Sequence, residues 1–325
     1  MKYVFGPVPS RRLGLSLGID PLPFKTCNWN CIYCQLGRTS PLTMERGEYV
    51  PRQDLIAEVK QVLTASQPGE LDWITFVGSG EPTLHGGLGW MIRQVKAYTD
   101  LPVAVITNGS LLYLPEVREE LSAADAVLPT LDAGNSRLYH QINRAAPRFS
   151  LERLVDGIDL FRRMYSGKIW IEVMLIKDMN DNSKALHEIA LHLKRLKPDG
   201  VHITLPIRPP AEVGIQPADD SGLMRAKNIL GEFTPVSIPN TVQAQVVGDG
   251  DLCEKILNIV TRHPMQEDEL QTLLKSWSAE QVHEGIKDLN NRHLMKIVEL
   301  DGSNFWTAEA ANFHKKRPNQ PGNTT

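Results

Sequence analysis

The sequence predicts an α/β chain of six strand–helix units followed by a small α+β module. Three observations predict it. Short apolar runs, rich in β-branched residues, alternate with segments of helical periodicity from residue 14 to residue 207. Polar residues collect just after the C-terminal ends of those runs, where barrels of alternating strand and helix build their sites. Beyond residue 251 the alternation stops, and helical segments lead into two strands flanking Asp301-Gly302, a hairpin turn.

The first strand is expected over 14–20, where Leu15, Leu17 and Ile19 alternate with Ser16, Gly18 and Asp20. The Pro-rich stretch 21–25 ends it. Ser10-Arg11-Arg12 precedes it as a basic turn, readable either as solvated or as ligand-binding. Helix 54–64 has apolar residues at 55, 56, 59, 62 and 63. Strand 72–77 runs into Gly78-Ser79-Gly80-Glu81-Pro82, and helix 88–98 leads to strand 102–106 and Thr107-Asn108-Gly109. A short helix over 115–122 precedes strand 126–131, which ends at Asp132. Helix 151–165, strand 168–176, helix 183–197 and strand 201–207 complete the series, closed by Arg208-Pro209-Pro210.

Strand faces refine this. Trp170, Glu172, Met174 and Ile176 share one face, and Glu172 is the sole carboxylate of its run. His202, Thr204, Pro206 and Arg208 share a face opposite Val201, Ile203, Leu205 and Ile207. The polar faces are expected to look into the barrel, where a charge needs a partner or a ligand.

Composition bounds the rest. A chain of 325 residues, 42% apolar and 22% charged, accommodates one large and one small domain. Net charge of −3 argues against a surface that coats nucleic acid. No apolar run approaches membrane-spanning length, and Met1 to Pro7 lack a signal-peptide core. The expected location is a reducing cytoplasm, because three of the four cysteines are clustered rather than spread as a disulfide framework.

That cluster is Cys27-Asn28-Trp29-Asn30-Cys31-Ile32-Tyr33-Cys34. Thiols this close are metal ligands or redox pairs. Structural zinc takes four ligands, yet no second cysteine pair follows and the next histidine is His85. Iron–sulfur clusters take cysteine readily, and three thiolates on a four-iron cubane leave one iron open for chemistry.

The C-x₃-C-x₂-C spacing with Tyr33 before the last cysteine resembles the radical S-adenosylmethionine (SAM) superfamily, and Gly78-Ser79-Gly80-Glu81-Pro82 resembles its Gly-Gly-Glu-Pro motif. The resemblance implies a partial six-unit (β/α) barrel and a 4Fe-4S cluster on Cys27, Cys31 and Cys34. It implies that SAM chelates the open iron and is cleaved by one electron, from a donor such as flavodoxin or ferredoxin, to methionine and a 5′-deoxyadenosyl radical. Gly78, Ser79, Gly80 and Glu81 then hold the SAM ammonium, Tyr33 lies at the adenine, and Asn108 and Asp132 lie near the ribose and carboxylate. Arg144 is a candidate partner of that carboxylate. Capping or turn formation is the alternative for Asn108 and Asp132, and a surface arginine for Arg144. Glu172, Lys177 and Arg208 are the candidate catalytic residues at the barrel mouth.

At finer grain, residues 5–14, Lys25-Thr26-Cys27 and Tyr33-Cys34-Gln35 resemble the subgroup of wyosine synthases, over about residues 1–215. Those enzymes build a tricyclic base on a tRNA guanosine and carry a second cysteine set upstream. Residues 1–26 contain no cysteine, which excludes a second self-ligated cluster.

Residues 216–250 read as a connector with a helix over 220–232, 251–312 as three helices and a hairpin resembling a winged helix, and 313–325 as a disordered tail. Glu280, Glu284 and Asp288 outweigh Lys287 and Arg292 on the third helix, which argues against DNA binding. Cys253 is expected to be buried among apolar residues. The expected function is radical SAM chemistry on RNA or a nucleotide. The alternatives are modification of a protein partner and a non-catalytic iron–sulfur regulator.

Overall fold

The computed structural model describes residues 2–10, 12–238 and 251–314. β1 (Val4–Ser10) and β2 (Gly14–Ile19) form an antiparallel hairpin. From β2 onward each strand is parallel to the one before it: β3 (Trp73–Phe76), β4 (Val103–Thr107), β5 (Ala126–Pro129), β6 (Lys168–Met174), β7 (Gly200–Thr204) and β8 (Val236–Ser237). Strand order follows chain order from β1 to β8, and these two end strands are not paired with each other. This is barrel-type winding left open at one seam.

The crossovers are α1 (Arg52–Ala65), α2 (Leu88–Lys96), α3 (Pro115–Leu121), α4 (Ser136–Ile142), α5 (Leu151–Met164), α6 (Ser183–Leu196) and α7 (Asp220–Gly231). The helices start where side chains satisfy free amide donors: Asn135, Ser150, Asn182 and Asp219 each accept from an N–H of the first turn. Leu154, Ile158 and Phe161 of α5 and Leu186, Ile189 and Leu193 of α6 are buried toward the sheet. There they meet Ile169, Ile171 and Val173, the outward face of β6. Each such side chain contributes about 1.5–3 kcal/mol of hydrophobic stabilisation.

All six predicted strands are present, with ends shifted by one to three residues. The strand expected over 201–207 stops at Thr204, since Pro206 has no N–H for a ladder bond. β1, β8 and α4 are additions. The segment read as a connector carries α7 and β8, and Ala226, Ile229 and Leu230 are buried in the barrel's core. Residues 239–250 of that segment, and 315–325 of the predicted tail, lie outside the described residues.

A second core belongs to α8 (Leu252–Arg262), α9 (Glu267–Leu273), α10 (Ala279–Asn291) and the hairpin of β9 (Met295–Leu300) and β10 (Ser303–Ala308). Ile256, Val260, Leu270, Leu274, Val282 and Ile286 fill it. Asp301 and Gly302 both take left-handed φ, as a tight hairpin turn requires. Cys253 is half-buried against this core rather than enclosed. The module docks beside the cysteine segment. Arg38 N–H donates to Asn312 O at 2.6 Å, and His314 N–H donates to Ala211 O at 3.0 Å. No helix among the described residues is long and apolar enough to cross a membrane.

Candidate active site

Parallel strands put every following loop at one end of the barrel, and the predicted residues other than Glu172, which lies within β6, are in those loops. The cysteine segment follows β2 and is clamped from two sides. Asn28 is buried, donating to Ser110 Oγ at 2.8 Å and accepting from Asn108 Nδ2 at 2.7 Å, both in the loop after β4. Ile32 N–H donates to Ile142 O at 2.9 Å at the end of α4. Trp29 is buried edge-on against Tyr139 of α4, with ring centroids 5.4 Å apart. The short helix missed in the sequence is therefore the wall that supports this loop.

Each thiol has a donor nearby. Trp29 N–H lies 3.5 Å and Asn108 Nδ2 3.9 Å from Cys27 Sγ. Asn143 Nδ2 lies 3.8 Å from Cys31 Sγ, and Lys25 Nζ lies 3.1 Å from Cys34 Sγ. Burial pushes the Cys27 thiol up to about 12, with Glu81 adding to the effect, and burial plus the neighbouring thiols also raises Cys31. Burial would lower Lys25, but Cys34, then Cys27 and Cys31, hold it above its ordinary value. Cys27 and Cys31 in this setting hold their protons until a bound cation displaces them. Among the described residues, no three ligating side chains converge on a single ion position. Three cysteine sulfurs, each with an N–H donor nearby, are a donor set that would fit an iron–sulfur cluster.

The Gly78–Glu81 turn after β3 packs on this loop directly. Glu81 N–H donates to Thr26 O at 3.0 Å, and a Cβ on Gly80 would lie 1.8 Å from the same oxygen. Gly78, at φ +150, lies against Asp20, where a Cβ would come within 2.4 Å of Asp20 Cγ. Ser79 donates to Asp20 through its N–H at 3.1 Å and its hydroxyl at 2.6 Å. Glu81 is fully enclosed, and its carboxylate accepts from Thr83 N–H and Oγ1, Thr107 Oγ1 and Asn108 N–H. Burial raises its pKa, and these donors oppose the rise. The carboxylate ties the turn to β4, which leaves the turn's backbone as the part able to take a ligand.

Asp132 is buried and accepts from Tyr33 Oη at 2.6 Å, Asn143 Nδ2 at 2.6 Å and Met174 N–H at 2.8 Å. Burial brings it up to about 6 despite those bonds. Arg144 has left-handed φ and pairs with Glu212, 2.5 Å away, which also takes Arg38 at 2.7–2.8 Å. Glu212 N–H donates to Ile32 O, so this network bridges the cysteine loop and the segment after β7.

Inside the barrel Glu172 pairs with Arg12, which enters from the opposite end on the β1–β2 turn. His202 is the register neighbour of Glu172, and its ring lies 5.6 Å from that of Trp170. Burial, helped by Arg12, pushes His202 down to about 4. Its folded pKa lies below the unfolded value of 6.5, so the unfolded chain binds the extra proton between these values. Stability is expected to fall as pH drops from 6.5 toward 4, and His202→Gln should flatten that part of a melting-temperature profile. Lys177 is half-buried and lies 3.8 Å from Asp219. Arg208 turns to the C-terminal module, reaching Pro264 O and Glu269, so it faces a protein surface and not the barrel interior.

The sequence reading missed Asp20, Lys25, Asn143 and Arg262 as site residues. Arg12 carried a local signal in its basic turn. Asp20, the last polar residue of its strand, carried one too.

Comparison with known proteins gives the family and the fold. The Radical SAM superfamily description matches residues 22–190. A UPF0026 protein of Methanocaldococcus jannaschii is 32% identical over 94% of this chain and 96% of its own length. A Brachyspira hyodysenteriae protein named GTPase Obg is 39% identical over 81% of this chain, which spans 39% of that longer protein. Gly167-Lys168, the one Gly-Lys pair here, is followed by Ile169, so the chain has no phosphate-loop motif of its own. In fold, it is similar to a radical SAM methyltransferase from Sphaerobacter thermophilus, at TM-score 0.54 and 18% identity over 69% of this chain and 65% of that one. The chain belongs to the radical SAM superfamily.

Proposed function

We propose that this protein binds a 4Fe-4S cluster through Cys27, Cys31 and Cys34, cleaves SAM reductively, and abstracts hydrogen from a nucleotide or a base in RNA. The observation that carries the reading is the contact of the cysteine loop with the Gly78–Glu81 turn through Thr26. When bound, the cluster supplies the electron that splits SAM into methionine and a 5′-deoxyadenosyl radical. The chain's own residues do the remaining work. Lys25, Asn108 and Asn143 orient the sulfurs and offset their charge. The backbone of Gly78 to Gly80 receives the SAM ammonium, while Glu81 fixes the turn. Tyr33 and Asp132, with Asn108, border the adenosine, and Arg144 holds the loop closed through Glu212. Water is kept out by the packing of Ile32, Tyr33, Met179 and Ile215.

Glu172, with Arg12, His202 and Trp170, forms the floor of the barrel interior beneath the loops that would hold substrate. A guanidinium, a carboxylate, a neutral imidazole and an indole suit the edge and face of a nucleobase. Lys177 and Arg208 shape the rim through Asp219 and the C-terminal module. The test is formation of 5′-deoxyadenosine by reconstituted protein under dithionite, with and without total RNA. Stimulation that nuclease treatment removes is the expected result, and stimulation by protein alone contradicts the RNA assignment. A protein substrate is the second reading, favoured by the acidic first turn of α9 (Glu267, Asp268, Glu269), which repels a phosphate backbone.

A further inference from the structure

Arg262 ends α8 in the C-terminal module, yet it is as buried as a core residue. Its Nε donates to Asp20 Oδ2 at 2.9 Å, and Asp20 is 2% exposed. Nη1 bonds Asn258 O and Oδ1, Nη2 reaches Lys2 O at 3.3 Å, and the guanidinium stacks over Phe5 at 4.8 Å. The side chain is thus fixed from every direction. Asp20 in turn accepts both the N–H and the hydroxyl of Ser79 and abuts Gly78. The Arg262 carbonyl accepts from Gln35 Nε2 at 2.8 Å, one residue beyond Cys34. One residue of the C-terminal module therefore touches the supports of both the cysteine loop and the glycine turn.

We propose that Arg262 is a positioning residue for SAM: through Asp20 it sets the Gly78–Ser79 turn, so the C-terminal module is part of the SAM site. Asp20 alone is a buried carboxylate, and ionised carboxylates are held in place at such depth only when paired and hydrogen-bonded. Arg262 supplies that pairing on one side, while Asp20 accepts from Ser79 and from Leu22 N–H on the other. Without the guanidinium, Asp20 loses its charge partner and the geometry that aims it at Ser79, and the Ser79 N–H and hydroxyl lose their fixed acceptor. The inference rests on the reading of this turn as a SAM-binding element, but its structural half can be tested without SAM.

Two measurements on the full chain test it, using Arg262→Met and Arg262→Lys. Amide hydrogen exchange on cofactor-free protein is expected to speed up in peptides covering 76–84 in Arg262→Met, and to return toward the wild-type rate in Arg262→Lys. Faster exchange confined to α8 overturns the proposal, because it describes a residue that only stabilises its own helix. Equilibrium dialysis of labelled SAM against reconstituted protein is expected to show about tenfold weaker binding in Arg262→Met at unchanged iron content, since a charged hydrogen bond is lost behind the turn. Unchanged binding also overturns it. Should Arg262→Met fail to fold, Arg262→Met with Asp20→Asn removes the unpaired buried charge, and the same loss of affinity is expected. Wild-type protein that binds no SAM refutes the cofactor assignment instead, and the exchange result then stands separately.

Discussion

Replacing any one of Cys27, Cys31 or Cys34 by alanine is expected to reduce SAM cleavage by at least about 100-fold, the upper range for losing even an outer partner of a metal ligand. The three thiols hang on different supports: Cys27 follows Thr26 at the glycine turn, Cys31 sits beside Asn143, and Cys34 is paired with Lys25. No other cysteine can move in. Cys253 is half-buried against the module's core, so Cys253→Ala serves as a control expected to retain both iron and activity. Iron and sulfide content, measured beside 5′-deoxyadenosine formation, checks the prediction. A cysteine variant that keeps full cleavage contradicts the ligand assignment.

The second large effect is expected at Gly80. A methyl group there would stand 1.8 Å from Thr26 O and 2.6 Å from Thr26 C, both backbone atoms that cannot swing away. Accommodating it moves the turn away from the cysteine loop, and a displacement of about 1 Å in a reacting geometry costs about 100-fold in rate. Gly80→Ala is expected to lose SAM cleavage on that scale, with SAM binding weakened in equilibrium dialysis. Gly47→Ala, where nothing lies within 4 Å of a new Cβ, is the matched control and should behave as wild type. Equal activity in the two variants would show that the turn does not need its present distance from the loop.

The parts of this site that were legible in the sequence are the parts held together by local spacing. Three cysteines in eight residues and a glycine turn directly after a strand need no tertiary knowledge to be read. The six barrel strands were legible because each is an apolar run with polar residues at its end. β1 was not, because Pro7 and Pro9 interrupt it; it is an edge strand with a register shift between Phe5 and Val8, where prolines are tolerated. α4 was not, because it buries only Tyr139 and Ile142 and, unlike α3 of the same length, has no proline in its first turn to mark its start. The supports of the site were hidden for a different reason. Asp20 and Arg262 are 242 residues apart, and nothing in either neighbourhood announces the other. Arg208 was read from its strand's face, but the chain leaves the sheet after Thr204 and the face rule lapses with it. Glu172 kept its inward orientation because β6 runs through Met174.

Electron paramagnetic resonance of the reduced, anaerobically reconstituted protein, before and after adding SAM, tests the central claim most directly. The account predicts about four irons per chain and a reduced-cluster signal that changes on SAM addition, because three protein thiolates leave one iron open to the ligand. A protein that assembles no four-iron cluster, or one whose signal is indifferent to SAM, contradicts it.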